Sequence, residues 1–298
     1  MRRIFAIFLL FGMPVAFSQG IVVVRDSIMN DYMLNGYANE HFLPAGKEDS
    51  AGLRQGDWTD YEVKEDFMFV TTDDIPTQHY GYYLIYGEGA FKDGERNGMW
   101  KFYVLEDKTF RKIPLKEVFY LNGSEEGRFK YFFPDGKLGV EGTYVQDKIQ
   151  GAFNSYFESG KLFSKQYYNK GLRVGAHQFL YEDGQIRQIS NYINDTIDGL
   201  LESFYPNGNK EMVCHVYKGK EDGIYQYYHE NGQLWTEKIY KKGLLMNITG
   251  NYDALGKPRD KGTLKNGNGT VHYYTAEGKI YSTETYKKGQ KVNQPTQQ

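Results

Sequence analysis

Apolar and polar residues alternate along this chain in short runs separated by glycine-bearing turns. GRFKYFF (127–133) is followed by PDGK and then by LGVEGTY (138–144), and DGIYQYY (222–228) by HENGQ and then by LWTEKIY (234–240). A period of two in aromatic and β-branched residues predicts β-strands, and turns this closely spaced predict hairpins. The pattern repeats. Gly127, Gly151, Gly175, Gly199 and Gly223 each lie 24 residues apart, and a second glycine follows each by nine, at Gly136, Gly160, Gly184, Gly208 and Gly232. Asn247 with Gly256 keeps the register, Gly269 with Gly278 follows two residues early, and Gly98 and Gly56 open two looser units upstream. That makes nine units and a broken tenth at Gly289.

Each unit reads as one hairpin. Its turn is FPDGK, FESGK, YEDGQ, YPNGN, HENGQ, DALGK or TAEGK, in which glycine supplies the positive φ and Asp or Asn tolerates the neighbouring turn geometry. Strands of this length run about 23 Å. The expectation is therefore all-β: tandem antiparallel hairpins of period 24 in an elongated, twisted open sheet.

Alternation sorts the side chains onto two faces. Five residues after the first glycine stand Tyr61, Tyr103, Phe132, Tyr156, Leu180, Phe204, Tyr228, Tyr252 and Tyr274. Eleven after it come Leu138, Leu162, Ile186, Leu234 and Ile280, and seventeen after it Tyr144, Tyr168, Tyr192, Val216, Tyr240, Leu264 and Tyr286. Columns this uniform suit stacking of neighbour on neighbour. They assign a packed face, with Tyr103, Phe132, Tyr156, Phe204, Tyr228, Tyr252 and Tyr274 as its structural ladder. The other face is less uniform. Trp100, Phe129, Tyr131, Phe153, Tyr181, Tyr205, Tyr225, Tyr227 and Trp235 mark it as the candidate binding face, since exposed apolar patches mark contact surfaces. A second reading stays open, in which these rings shield a single-layer sheet or pack as another core. A bulge at the glycine would move residues between the faces.

The series Gly-x-aromatic-x-x-Tyr, then Asn/Asp-Gly-Lys-Leu, then Tyr-x-Asn/Lys-Gly resembles the variant MORN repeats of the YwqK-family antitoxins of bacteria. It spans roughly residues 51–291 and is clearest over 117–243, as in EGRFKYFFPDGKL and DGIYQYYHENGQL. The resemblance implies a hairpin array used for protein contacts, with membrane or lipid contacts in some members. The antitoxin label implies a proteinaceous toxin neutralised by direct binding. Asp107-Lys108, where glycine belongs, departs from the pattern.

The N-terminus bears on that label. MRR precedes an apolar run from Ile4 to Phe17, and Ala16-Phe17-Ser18 places small residues for cleavage after Ser18, as in a secretory signal peptide. The protein is thereby expected to be secreted, periplasmic or at the cell surface, unlike a cytoplasmic antitoxin. The division is 1–18 signal peptide, 19–50 cap or lead, 51–116 divergent repeats with an insertion at about 64–85, 117–291 regular repeats and 292–298 disordered tail.

Composition fits this plan, with 27 Tyr, 19 Phe and 34 Gly against 8 Pro. The formal charge of −2 falls to −4 without Arg2 and Arg3, and there is no basic stripe for nucleic acid. The single Cys214 rules out an internal disulfide and a Cys-based metal cluster. The six histidines are scattered, with no metal-ligand or nucleophile-elbow spacing, and His177 and His229 fall in aromatic columns as packing residues. Glu125-Glu126 and Asp73-Asp74 read as solvated turn charges. No catalytic set, metal or cofactor is expected. The expected role is a scaffold that binds a protein, possessing two alternatives: a glycan stacked on the aromatic ladder, or contact with a membrane surface, which the negative charge opposes.

Overall fold

The computed structural model describes residues 45–65, 82–105, 111–275 and 277–292. The signal peptide, the lead segment up to residue 44, most of the 64–85 insertion, Asp107-Lys108 and the tail from residue 293 lie outside the described residues, as does the Tyr61 side chain. Every described element is a strand. Eighteen strands form an antiparallel open sheet of consecutive hairpins that does not close into a barrel, and Gly269–Tyr274, Ile280–Lys287 and Gln290–Lys291 form a three-stranded sheet. The all-β hairpin array expected from the 24-residue period is borne out.

The chain divides into two compact units, residues 1–127 with 131–136, and residues 128–130 with 137–298. In the first, Arg54–Glu65, Tyr82–Lys92, Glu95–Leu105 and Lys112–Leu121 pair in order. Its buried residues include Trp58, Ile85, Tyr86, Phe91, Trp100, Phe102, Leu115, Val118 and Tyr120. Phe91 meets Trp100 edge-on at 5.1 Å, Trp100 stacks on Phe102 at 5.7 Å, and the Arg96 guanidinium covers the Trp100 ring at 4.7 Å. Gly89 stands opposite the indole, and a Cβ there would come within 2.3 Å of the ring.

In the second unit two kinds of turn alternate. One edge carries two-residue turns with both residues at positive φ, such as Lys170 (50°) with Gly171 (83°), and Lys218 (49°) with Gly219 (74°). Both-positive φ identifies the type I′ turn, whose twist matches that of the flanking strands. The other edge carries the longer turns, with Gly160, Gly184, Gly208 and Gly232 at positive φ.

Gly199 and Gly223, first glycines of their repeats, sit in bulges. Between the pairs Cys214↔Tyr225 and Val216↔Glu221, His215 faces the three residues Asp222–Ile224, with Gly223 at φ 108°. A second irregularity, between Tyr227↔Thr236 and Tyr228↔Leu234, leaves Trp235 as the extra residue. Bulges sharpen twist and re-aim side chains. They let one face of a single sheet bury itself against its own neighbours.

Side chains tie each hairpin to the next. Tyr181 Oη donates to the Phe204 carbonyl at 2.7 Å and Tyr205 Oη to the Tyr228 carbonyl at 2.7 Å, and His229 Nε2 lies 3.0 Å from the Tyr252 carbonyl. Asn207 Nδ2 donates to the Glu230 carbonyl and Asn231 Nδ2 to the Ala254 carbonyl. On the opposite edge Gly171, Gly219 and Gly243 donate backwards through their N–H groups to the carbonyls of Ile149, Ile197 and Glu221. Tyr205→Phe removes one such bond and is expected to lower stability by about 1 kcal/mol, read as a shift in urea midpoint with an unchanged m-value.

Candidate binding surfaces

The register fixes which columns share a face. Gly223 pairs with Tyr240 and Tyr225 with Lys238, so the positions two and four after the glycine share their face with those thirteen, fifteen and seventeen after it. This is the inner, buried face. One row across it reads Ser190, Leu201, Cys214, Tyr225, Lys238 and Ile248, each paired with the next. Leu201, Met212, Cys214 and Val216 form one core cluster there, and Leu245, Ile248, Leu264 and Val271 another.

The burial agrees with the second reading of the aromatic face, in which its rings pack as another core. Trp100 (0% exposed), Phe129 (2%) and Phe153 (6%), three of the nine candidate binding residues, are buried core. Phe129 packs on Tyr144 at 4.3 Å and Phe153 on Tyr168 at 5.4 Å. Tyr225 and Tyr227 lie on the same inner face, half-buried, their hydroxyls joined at 2.9 Å. Tyr181 and Tyr205 hold the inter-hairpin bonds, Trp235 lies against Tyr227 and His229, and Tyr131 is half-buried. None of the nine is exposed, and the wholly buried Trp100 presents no face on which a sugar ring could stack.

The ladder expected in the core is half-buried instead, at Tyr103, Phe132, Tyr156, Phe204, Tyr228, Tyr252 and Tyr274. Tyr156 Oη donates to Glu141 Oε1 at 2.6 Å and Tyr228 Oη to Gln226 Oε1 at 2.9 Å. Gln226 Nε2 in turn donates to Glu237 Oε2 at 2.8 Å. These are outer-face polar networks, and they explain the uniformity. A tyrosine that must place a hydroxyl is hard to replace, whereas a core position accepts any apolar group of suitable volume. The column of seventeen, with Tyr144, Tyr192, Val216 and Leu264 buried, does pack as expected.

His177 shows how far the core column varies. It is buried against Tyr192 at 4.4 Å, and its Nε2 faces both the N–H of Tyr167 (3.3 Å) and its carbonyl (3.2 Å). Burial lowers its pKa, so the ring packs in its neutral form. The unfolded imidazole protonates near its ordinary value of about 6.5. Below that pH the unfolded chain binds a proton the fold resists, so the stability His177 contributes is complete above this value and declines as pH falls through it. His177→Phe should show a smaller drop in urea midpoint between about pH 7.5 and about pH 5.5 than the unsubstituted chain. Burial also pushes the Cys214 thiol up to about 12, leaving it protonated and unreactive at neutral pH.

A group of exposed apolar residues lies on the outer face, outside the columns named from the sequence. Ile193 (55% exposed), Tyr217 (53%) and Ile224 (51%) stand there with Leu200 in the second unit, and Met99 holds the equivalent place in the first. Leu200 and Ile224 directly follow their glycines, and Ile193 and Tyr217 directly precede the type I′ turns. Apolar residues directly after Gly199 and Gly223 and directly before the turns at Asn194 and Lys218, out of step with the core columns, were the available signal.

Hairpins stacked in register by their turns invite comparison with known repeats. Four of them match the MORN repeat variant. The matched segments are residues 125–146, 149–170, 173–194 and 221–242, each running from one type I′ turn to the next. No curated protein matches the chain. The hairpin Thr196–Phe204 with Lys210–Tyr217 keeps the same register between two matched repeats. It carries Leu201 and Val216 where the matched MORN repeats carry rings or His177, a core change that leaves the geometry intact. Repeats of this kind in a β-hairpin sheet make a scaffold for binding.

Proposed function

We propose that the protein is a non-catalytic repeat scaffold that acts outside the cytoplasm and binds a protein partner on the outer face of its second unit. The observation that carries this reading is the exposed apolar group Ile193, Leu200, Tyr217 and Ile224, set on a rigid sheet and flanked by polar networks. This group is mostly aliphatic, with Tyr217 as its single ring, and so suits a protein surface better than a sugar, whose recognition uses stacked rings. The location rests on the N-terminal sequence, read as a signal peptide cleaved after Ser18. Within that reading, the resemblance to YwqK-family antitoxins makes the partner a toxin-like protein and the binding immunity-like.

The test uses residues 19–298 as bait, beside the double variant Ile193→Lys with Ile224→Lys. Both positions are exposed, so stability should stay within about 0.5 kcal/mol. A partner identified by mass spectrometry should bind the unsubstituted chain and bind the variant at least about tenfold more weakly. Equal retention by both chains, or no partner from either, would overturn the proposal.

A further inference from the structure

The inner face carries one group that its packing does not explain. The row from Ser190 to Ile248 is apolar or neutral except at Lys238, whose neighbours across the strands are Tyr225 and Ile248. The equivalent position is Gly142, Gln166, Ser190, Cys214 and Gly262 in other repeats and Glu284 in the last, so the fold accepts neutral residues here and does not demand an ammonium. Among the described residues Lys238 forms no ion pair and donates no hydrogen bond; its Nζ lies over the Tyr273 ring, 5.2 Å from the centroid.

The nearest counter-charge is already engaged. Glu284 Oε2 accepts from Tyr286 Oη at 2.8 Å and from Tyr273 Oη at 3.2 Å, while Lys291 Nζ donates to its Oε1. Lys238, Tyr225, Tyr240 and Tyr273 are half-buried, so solvent still reaches the floor they form. Burial lowers the Lys238 pKa, with the Glu284 charge partly opposing that shift. An ammonium half-buried among rings, open to solvent and with no acceptor among the described residues, is available to a ligand that supplies one.

We propose that Lys238 anchors an inner-face binding site for a carboxylate carried on an apolar or aromatic body, with Tyr225, Tyr240 and Tyr273 as its walls. The ammonium supplies the charge-assisted hydrogen bonds and the rings take the apolar body. The carboxylate is that of a small organic acid or of a peptide C-terminus; the chemistry is common to both. The site lies on the face opposite the proposed protein-binding surface, and its test is independent of that surface.

Calorimetric titration of residues 19–298 with 4-phenylbutyrate, its primary amide and a short peptide ending in Leu-Phe tests this. Saturable binding of either acid with none of the amide is expected, as is an upfield-to-downfield titration of the Lys238 13Cε signal that moves to higher pH when ligand is present. Lys238→Met should weaken the acid by about tenfold or more. The variant should melt no lower than the unsubstituted chain, because the ammonium it removes makes no hydrogen bond or ion pair among the described residues, which separates lost binding from lost folding. Tighter binding of the peptide identifies a chain end as the source, and tighter binding of 4-phenylbutyrate a small acid; both support the site. Equal binding of acid and amide, no binding of either acid, or unchanged affinity in Lys238→Met would overturn it.

Discussion

Trp100→Ala is expected to cost the first unit about 3–5 kcal/mol, the range for truncating a buried aromatic. The indole is fully buried between Phe91 and Phe102, its Nε1–H donates to the Ala90 carbonyl at 3.0 Å, and Arg96 covers its face. Truncation removes the ring contacts, opens a cavity, and leaves the Ala90 carbonyl without that donor. Tyr103→Ala, three residues further on, should cost only about 1 kcal/mol, since that ring is half-buried beside Tyr86 on the outer face. Urea denaturation of both variants tests the placement of the faces. A larger loss at Tyr103 would mean that Tyr103, not Trp100, lies in the core.

Gly89→Val should be comparably damaging, at about 3 kcal/mol. Its φ is not positive, so backbone strain is not the cause; the cause is the ring opposite. A Cβ at residue 89 would lie 2.3–2.4 Å from three atoms of the Trp100 indole, and the buried ring has no room to retreat. The two substitutions should couple. Trp100→Ala empties the volume that the valine needs, so the double variant should lose about 1–3 kcal/mol less than the sum of the single losses. Simple additivity would show that the glycine and the indole do not share this space.

These two residues also show what was legible in the sequence. The glycine spacing revealed the hairpins and their register, because turn chemistry is local and glycine is written wherever φ must be positive. Alternation separated Trp100 from Tyr103 onto opposite faces. Which face was the core was harder to read, because uniform composition pointed to the tyrosines whereas burial follows the curvature that the bulges create. The bulge at Gly223, where three residues face one, is a property of strand pairing, and a single strand's sequence records only its glycine. Lys238 is visible in the sequence as an ordinary lysine. Only the row that places it between Tyr225 and Ile248 reveals it as the charge in an apolar line.

The bonds from Tyr181 to the Phe204 carbonyl and from Tyr205 to the Tyr228 carbonyl join each hairpin to its immediate successor. Under mechanical load this arrangement has a direct consequence. Tension applied to the C-terminus of the second unit loads only the last hairpin's ladder, a few bonds at a time, while the hairpins behind it stay unstressed. The unit should therefore peel rather than shear, in a series of small, evenly spaced force drops. Each drop would release one 24-residue repeat, or about 80 Å of contour length. A chain built this way would yield gradually at one end while most of its surface stayed folded.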